Sequence, residues 1–166
     1  MFEHLDLSKL YDNEGSYGQE QIQGELTEER IKRAEENIGY KFSPAYLELL
    51  KFQNGGYVGV DDSWVTIIYG VGEEEDTFGA LEDMFINWIE EWEYPNIGIP
   101  FAETEAAGHD MYFMDYRNIG PNGEPTIVHI ENEDVDDIKI YKVAENLVEF
   151  IEKVLNGEEL IGPLID

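Results

Sequence analysis

At 166 residues and 42% hydrophobic content, the chain is the size of one domain and long enough to bury roughly 70% of the surface its unfolded form exposes. Its 38 acids against 10 bases give a net charge of -28, which argues against nucleic acid and anionic membranes as partners and leaves basic proteins, cations and polycations. With no cysteine, disulfides, thiolate metal sites and thiol nucleophiles are excluded. The N-terminus has neither the basic nor the apolar region of a secretory leader, and no apolar run approaches the ~18 residues of a membrane span, so a cytoplasmic protein is expected.

Residues 1–25 mix Gly15, Gly18 and Gly24 with Gln19, Gln21 and Gln23 and show no useful periodicity; they predict a loosely held arm ahead of a domain at 26–166. Thr27 followed by Glu28 and Glu29 predicts a helix start, and Ile31, Ala34 and Ile38 recur at helical spacing up to Gly39. Ser43-Pro44 opens a second helix through Tyr46, Leu47, Leu49, Leu50 and Phe52, which Asn54-Gly55-Gly56 stops. Strands are predicted at 57–60 and 64–69, followed by the charged loop Gly72-Glu73-Glu74-Glu75-Asp76. Leu81, Met84, Phe85, Trp88, Ile89 and Trp92 at three- and four-residue steps predict a helix over 80–93 with an aromatic face, closed by Pro95. Four further strands, at 99–102, 111–116, 126–130 and 138–143, are joined by short turns that favour antiparallel pairing, and a last helix spans 144–155. The expected architecture is a single α+β domain, a mostly antiparallel sheet with two N-terminal helices, one inserted helix and one C-terminal helix.

The distribution of charge is uneven. From residue 52 to residue 116 there is no lysine or arginine, yet fifteen Asp or Glu and all three tryptophans. Because apolar residues are interleaved, this block reads as folded surface plus core rather than an acidic tail.

Catalytic patterns are hard to find in the chain. Ser8, Ser16, Ser43 and Ser63 lie in no nucleophile-elbow context, and Ser43 is accounted for as a helix cap. His4, His109 and His129 have no paired ligand spacing; His129-Ile130-Glu131 matches one fragment of a zinc deaminase signature but lacks the cysteines that complete it. Gly70-Val71-Gly72 is followed by three glutamates where a phosphate would sit, and Glu131, Glu133, Asp134, Asp136 and Asp137 lack the glycine and terminal glutamate of a calcium loop. No cofactor, no metal site and no catalytic residue is expected. Aromatics at helical spacing are mainly core, with Trp92, beside Glu90, Glu91 and Glu93, the exception expected at the surface.

Thr27-Glu28-Glu29-Arg30-Ile31 with Ala34-Glu35 and Ile38-Gly39, then Phe42-Ser43-Pro44, Tyr46-Leu47 and Asn54-Gly55-Gly56, resemble the SUKH superfamily, which includes bacterial immunity proteins and the yeast cell-wall assembly regulator. The resemblance continues through residues 97–102, Gly108-His109-Asp110 and residues 112–115 to Phe150-Ile151, covering about 26–155. It implies a non-enzymatic binding domain that neutralises a toxin delivered by neighbouring cells, many such toxins being nucleases; the alternative it implies is a cytoplasmic scaffold or regulator. Asn54, Gly55 and Gly56 match the family's best motif and are expected to be structural, forming a tight turn with positive φ at glycine. The partner surface is expected from charge. Asp61, Asp62, Glu73, Glu74, Glu75 and Asp76 in exposed loops would face the basic groove of a nuclease as a nucleic-acid mimic, with Trp92 as an anchor.

Overall fold

Two apolar side chains tie down the start of the chain. In the computed structural model, which describes residues 1–165, Phe2 and Leu10 are buried in the core on either side of a 3-10 turn at Leu7–Lys9. A two-residue strand, β1 (Tyr11–Asp12), follows and pairs with the next strand of the sheet, and a short helix, α1 (Gly15–Gln19), comes after it. The segment expected as a loosely held arm thus contributes an edge strand and two core residues. Two anchors eight positions apart are too sparse to register as a period.

The next elements form where their caps stand. The Thr27 hydroxyl accepts a hydrogen bond from the Arg30 amide to open α2 (Glu28–Ile38), and Gly39 ends it in the left-handed region. Ser43 caps α3 (Pro44–Phe52) in the same way through the Tyr46 amide. Between α3 and β2 (Gly56–Val58) lies Asn54, 3% exposed, whose side chain acts as a bracket. Its Oδ1 accepts from the Val71 amide at 2.8 Å, and its Nδ2 donates to the Val71 and Gly24 carbonyls at 2.9 and 3.2 Å. Gly55 sits at φ 86°, and a Cβ there would meet the Gly70 nitrogen at 2.6 Å, so the turn needs glycine on both conformational and steric grounds.

Beyond β3 (Val65–Ile68), the helix expected over 80–93 is shorter. α4 covers Leu81–Ile86 and then widens into one π turn, Asn87–Glu91, closed by the Trp92 amide on the Asn87 carbonyl. The remainder is β4 (Gly98–Thr104), β5 (Asp110–Ile119), β6 (Pro125–Glu131), β7 (Lys139–Ala144), α5 (Leu147–Leu155) and β8 (Leu164–Ile165). Asn146 caps α5 by accepting from the Glu149 amide, so this helix begins three residues later than expected, after Ala144 has finished β7. All eight strands form one sheet in chain order, each antiparallel to the next, which makes an α+β domain built on a meander. Six strands were expected. The two edge strands are two residues each, below the length at which alternation can be read.

The core is aromatic. Phe150 of α5 packs 5.4 Å from Phe101 of β4 and 5.1 Å from Tyr112 of β5, ring centre to ring centre, and all three are buried. Tyr46 of α3 reaches across to donate to the Tyr69 carbonyl, and the Tyr69 hydroxyl takes the Trp88 indole N–H at 2.8 Å. These contacts fix α3, α4 and α5 on the sheet and hold the loops between them.

Candidate functional site

Asp61 and Asp62 occupy the β2–β3 turn and are exposed; Asp62 adopts φ 58°, a conformation aspartate tolerates better than most residues. Glu73, Glu74, Glu75 and Asp76 are exposed in the loop from β3 to α4. One arginine from outside the base-free block holds this loop from beneath. Arg33 of α2 donates to the Glu73 and Gly72 carbonyls at 2.7 and 2.8 Å, and to Glu82 Oε1 from Nη2 at 2.7 Å and from Nε at 3.1 Å. Glu82 is 3% exposed, and its second oxygen accepts from Asn37 at 2.6 Å. The second fully buried acid of the block, Asp115, is met by Arg117, one residue past the block's end. Two arginines are therefore turned toward buried acids, while the six loop carboxylates have no lysine or arginine within ion-pair distance among the described residues.

The two acidic loops border different hollows. Glu75 and Asp76 line a smaller one of about 370 Å³ with Asn37, Glu82, Asp83 and Phe85, whereas Asp62 lines a larger cavity of about 620 Å³. Trp92, expected at the surface, is half-buried. Its ring lies edge-on to Trp88 at 5.3 Å and to His109 at 5.9 Å, and its carbonyl accepts from Asn132 at 2.7 Å.

The larger cavity was not anticipated. Its floor is a row of three rings on neighbouring strands: register sets Tyr112 beside His129 and His129 beside Tyr141, with ring centres 5.1 and 6.2 Å apart. Asp62, Ser63 and Trp64 of the β2–β3 turn form one wall, and Val154 of α5 with residues 157–162 forms the other. The segment 157–163 can lie this close because Gly162 has no side chain. A Cβ there would come within 1.5 Å of the Lys142 carbonyl, and the Lys142 amide donates to the Pro163 carbonyl at 3.0 Å. Behind His129, Asp110 lies 3.3 Å from Nε2 and accepts from the Thr104 hydroxyl. Burial pushes the Asp110 carboxyl up, but its contacts with His129 and Thr104 outweigh this and hold it below its ordinary value. Burial, and then the Asp110 charge, push the Tyr112 phenol well above its ordinary value, so it stays protonated. His129-Ile130-Glu131 appears here as two side chains on one face of β6, both lining the cavity. Strand alternation puts them on a common face, but only the register with β5 and β7 shows what stands beside them.

The class defined by these features is a small, strongly acidic α+β domain, an antiparallel meander whose exposed loop carboxylates make no ion pair among the described residues. The chain belongs to the SMI1 / KNR4 family (SUKH-1), whose model matches residues 25–153. No curated protein matches the chain. Among the described residues no helix is long and apolar enough to cross a membrane, and no group of three or more His, Asp or Glu side chains is placed to hold a metal ion.

Proposed function

We propose that this protein is an immunity protein that binds and neutralises a cognate secreted toxin, a basic nuclease domain, by occupying its phosphate-binding groove with an acidic surface, and that it acts by binding rather than turnover. The observation that carries the reading is the sorting of charge. Arg33 and Arg117 are turned toward the buried Glu82 and Asp115, and the exposed carboxylates of Asp61, Asp62 and Glu73 to Asp76 make no ion pair among the described residues. An uncompensated acidic surface on a folded scaffold raises encounter rate and orients a basic partner, at a strength that falls with salt. Family membership supports the reading, since the superfamily it resembles includes immunity proteins.

The test is co-expression with the product of the adjacent gene, scored for rescue of growth and for co-purification. Rescue by the wild type, lost or weakened with a flatter salt dependence when Asp61, Asp62 and Glu73 to Asp76 are reversed to lysine, is the expected result. Absence of both rescue and complex would overturn the immunity reading in favour of a scaffold or regulator. Rescue that is indifferent to the reversal would overturn the groove-mimic surface alone.

A further inference from the structure

One wall of the larger cavity lies beyond the span that the family model matches. The matched span ends at residue 153, while Val154 and residues 157–162 make up half of the lining positions. What those residues enclose is chemically one-sided. Asp62, Glu131, Glu158 and Glu159 face it and no lysine or arginine does; Asp62, Glu131 and Glu159 make no side-chain hydrogen bond or ion pair with any described residue. The floor is aromatic, with Trp64 41% exposed at the edge.

A second observation is independent of that charge. Tyr112 is 1% exposed and lines the cavity, yet its hydroxyl makes no hydrogen bond with any described residue. The His129 Nε2 is likewise buried without a hydrogen bond of good geometry, although Asp110 is 3.3 Å away. The Tyr112 side chain is thus buried except where its unpartnered oxygen opens into the cavity, which offers a ligand one donor or acceptor.

We propose that this cavity takes the guanidinium group of an arginine side chain presented by a protein partner, lying against the partly exposed His129 and Tyr141 rings, with one N–H toward the Tyr112 oxygen, and held at the rim by Glu131 and Glu159. The inference deepens the basic-partner reading and rests on it for the identity of the partner. A volume of about 620 Å³ lies within the range of about 300–1,000 Å³ typical of ligand sites. Carboxylates spread around a rim, rather than converging as ion ligands, suit an extended organic cation. A guanidinium is flat, weakly hydrated and many-donored. It can lie on aromatic faces, fork to carboxylates and give one N–H to the Tyr112 oxygen, whereas a lysine ammonium is a compact, strongly hydrated point charge that gains less from the rings.

The experiment uses the full ¹⁵N-labelled chain and Nα-acetyl-arginine amide as probe. The expected result is saturable chemical-shift change in the millimolar range, confined to Tyr112, His129, Tyr141 and the Trp64 indole. The neutral citrulline analogue should produce none, and the lysine analogue should bind several-fold more weakly. The double variant Glu131→Gln/Glu159→Gln should weaken arginine binding by about tenfold, in keeping with the loss of charge-assisted hydrogen bonds. Glu73→Gln/Glu74→Gln on the other loop should leave it unchanged, and Glu159→Gln alone, at an exposed position, keeps the test open if the double variant misfolds. Equal response to citrulline, equal or tighter binding of lysine, shifts scattered over both acidic loops, or indifference to the rim substitutions would each overturn the proposal. Because no toxin is present, a flat titration beside intact rescue sinks the cavity proposal alone, and failed rescue beside a saturable titration sinks the immunity reading alone.

Discussion

Replacing Arg33 with methionine isolates the contact that joins the fold to its acidic loop. The substitution keeps much of the side chain's apolar stem but removes four hydrogen bonds, two to Glu82 Oε1 and two to the Gly72 and Glu73 carbonyls. Glu82, 3% exposed, is then a buried carboxylate with only the Asn37 amide against it. Removing one partner of a buried pair costs about 3–5 kcal/mol, most of it the penalty of the stranded charge. Taking about 4 kcal/mol, and about 2–4 °C per kcal/mol for a chain of this size, Tm should fall by roughly 8–16 °C. The double variant Arg33→Met/Glu82→Met strands no charge and should recover at least half of that loss in urea or thermal unfolding. The loop should register the change separately. The Glu74 amide, bonded to the Thr77 hydroxyl, and the Thr77 amide, bonded to the Glu74 carbonyl, should exchange hydrogen faster in Arg33→Met. A single variant that loses less than about 1 kcal/mol, or a double variant less stable than the single, would refute the account of Glu82 as a charge dependent on Arg33.

Two further substitutions probe the Asn54 bracket and the half-buried Glu103. Asn54→Ala removes three hydrogen bonds and leaves the buried Val71 amide and carbonyl unpartnered, so the urea midpoint should drop by the equivalent of about 2–4 kcal/mol with an unchanged m-value. Glu103 accepts from the Tyr69 hydroxyl; burial raises its carboxyl above the ordinary 4.5, and the Tyr69 bond opposes this only in part. A raised carboxyl pKa means folding favours the protonated form: its contribution is complete below pH 4.5 and is lost as pH rises through the folded-state value. Glu103→Gln mimics the protonated form, so it should be more stable than the wild type at neutral pH, with the gap in urea midpoint closing as pH falls toward 4.5. A gap that widens on acidification would reverse the sign assigned to this group.

Much of this arrangement can be read from local sequence. Thr27, Ser43 and the glycines after them punctuate α2 and α3 because capping depends on side chains a few residues apart, and the apolar spacing of 147–154 marks the buried face of α5. The charge block is equally visible, and its loop acids stand exposed where turn residues predict loops. What could not be read depends on distance along the chain. Arg33 and Glu82 are 49 residues apart, and nothing in either neighbourhood points to the other. Tyr112, His129 and Tyr141 lie on three strands, each unremarkable alone, and they become one floor only through pairing register. The second cavity wall depends on Gly162 meeting the Lys142 carbonyl, a steric fact with no periodic signature. Trp92 illustrates the converse, since its acidic neighbours point to solvent while Trp88 and His109 draw the ring partly inward.

The chain-order meander gives every strand a partner adjacent in sequence, but it also leaves the sheet with two free margins. At one of them β8 is held by two residue pairs, Ile140 with Ile165 and Tyr141 with Leu164, and Leu164 is itself 60% exposed. Peripheral segments with so few buried contacts open at a small fraction of the global unfolding free energy, while a centre as interlocked as β4 to β7 opens only with the whole domain. β8 continues directly from the segment that walls the larger cavity, so that wall runs into one margin of the sheet. The cavity's aromatic floor therefore rests on strands that open only with the domain, whereas its second wall leads into a margin that can open without it.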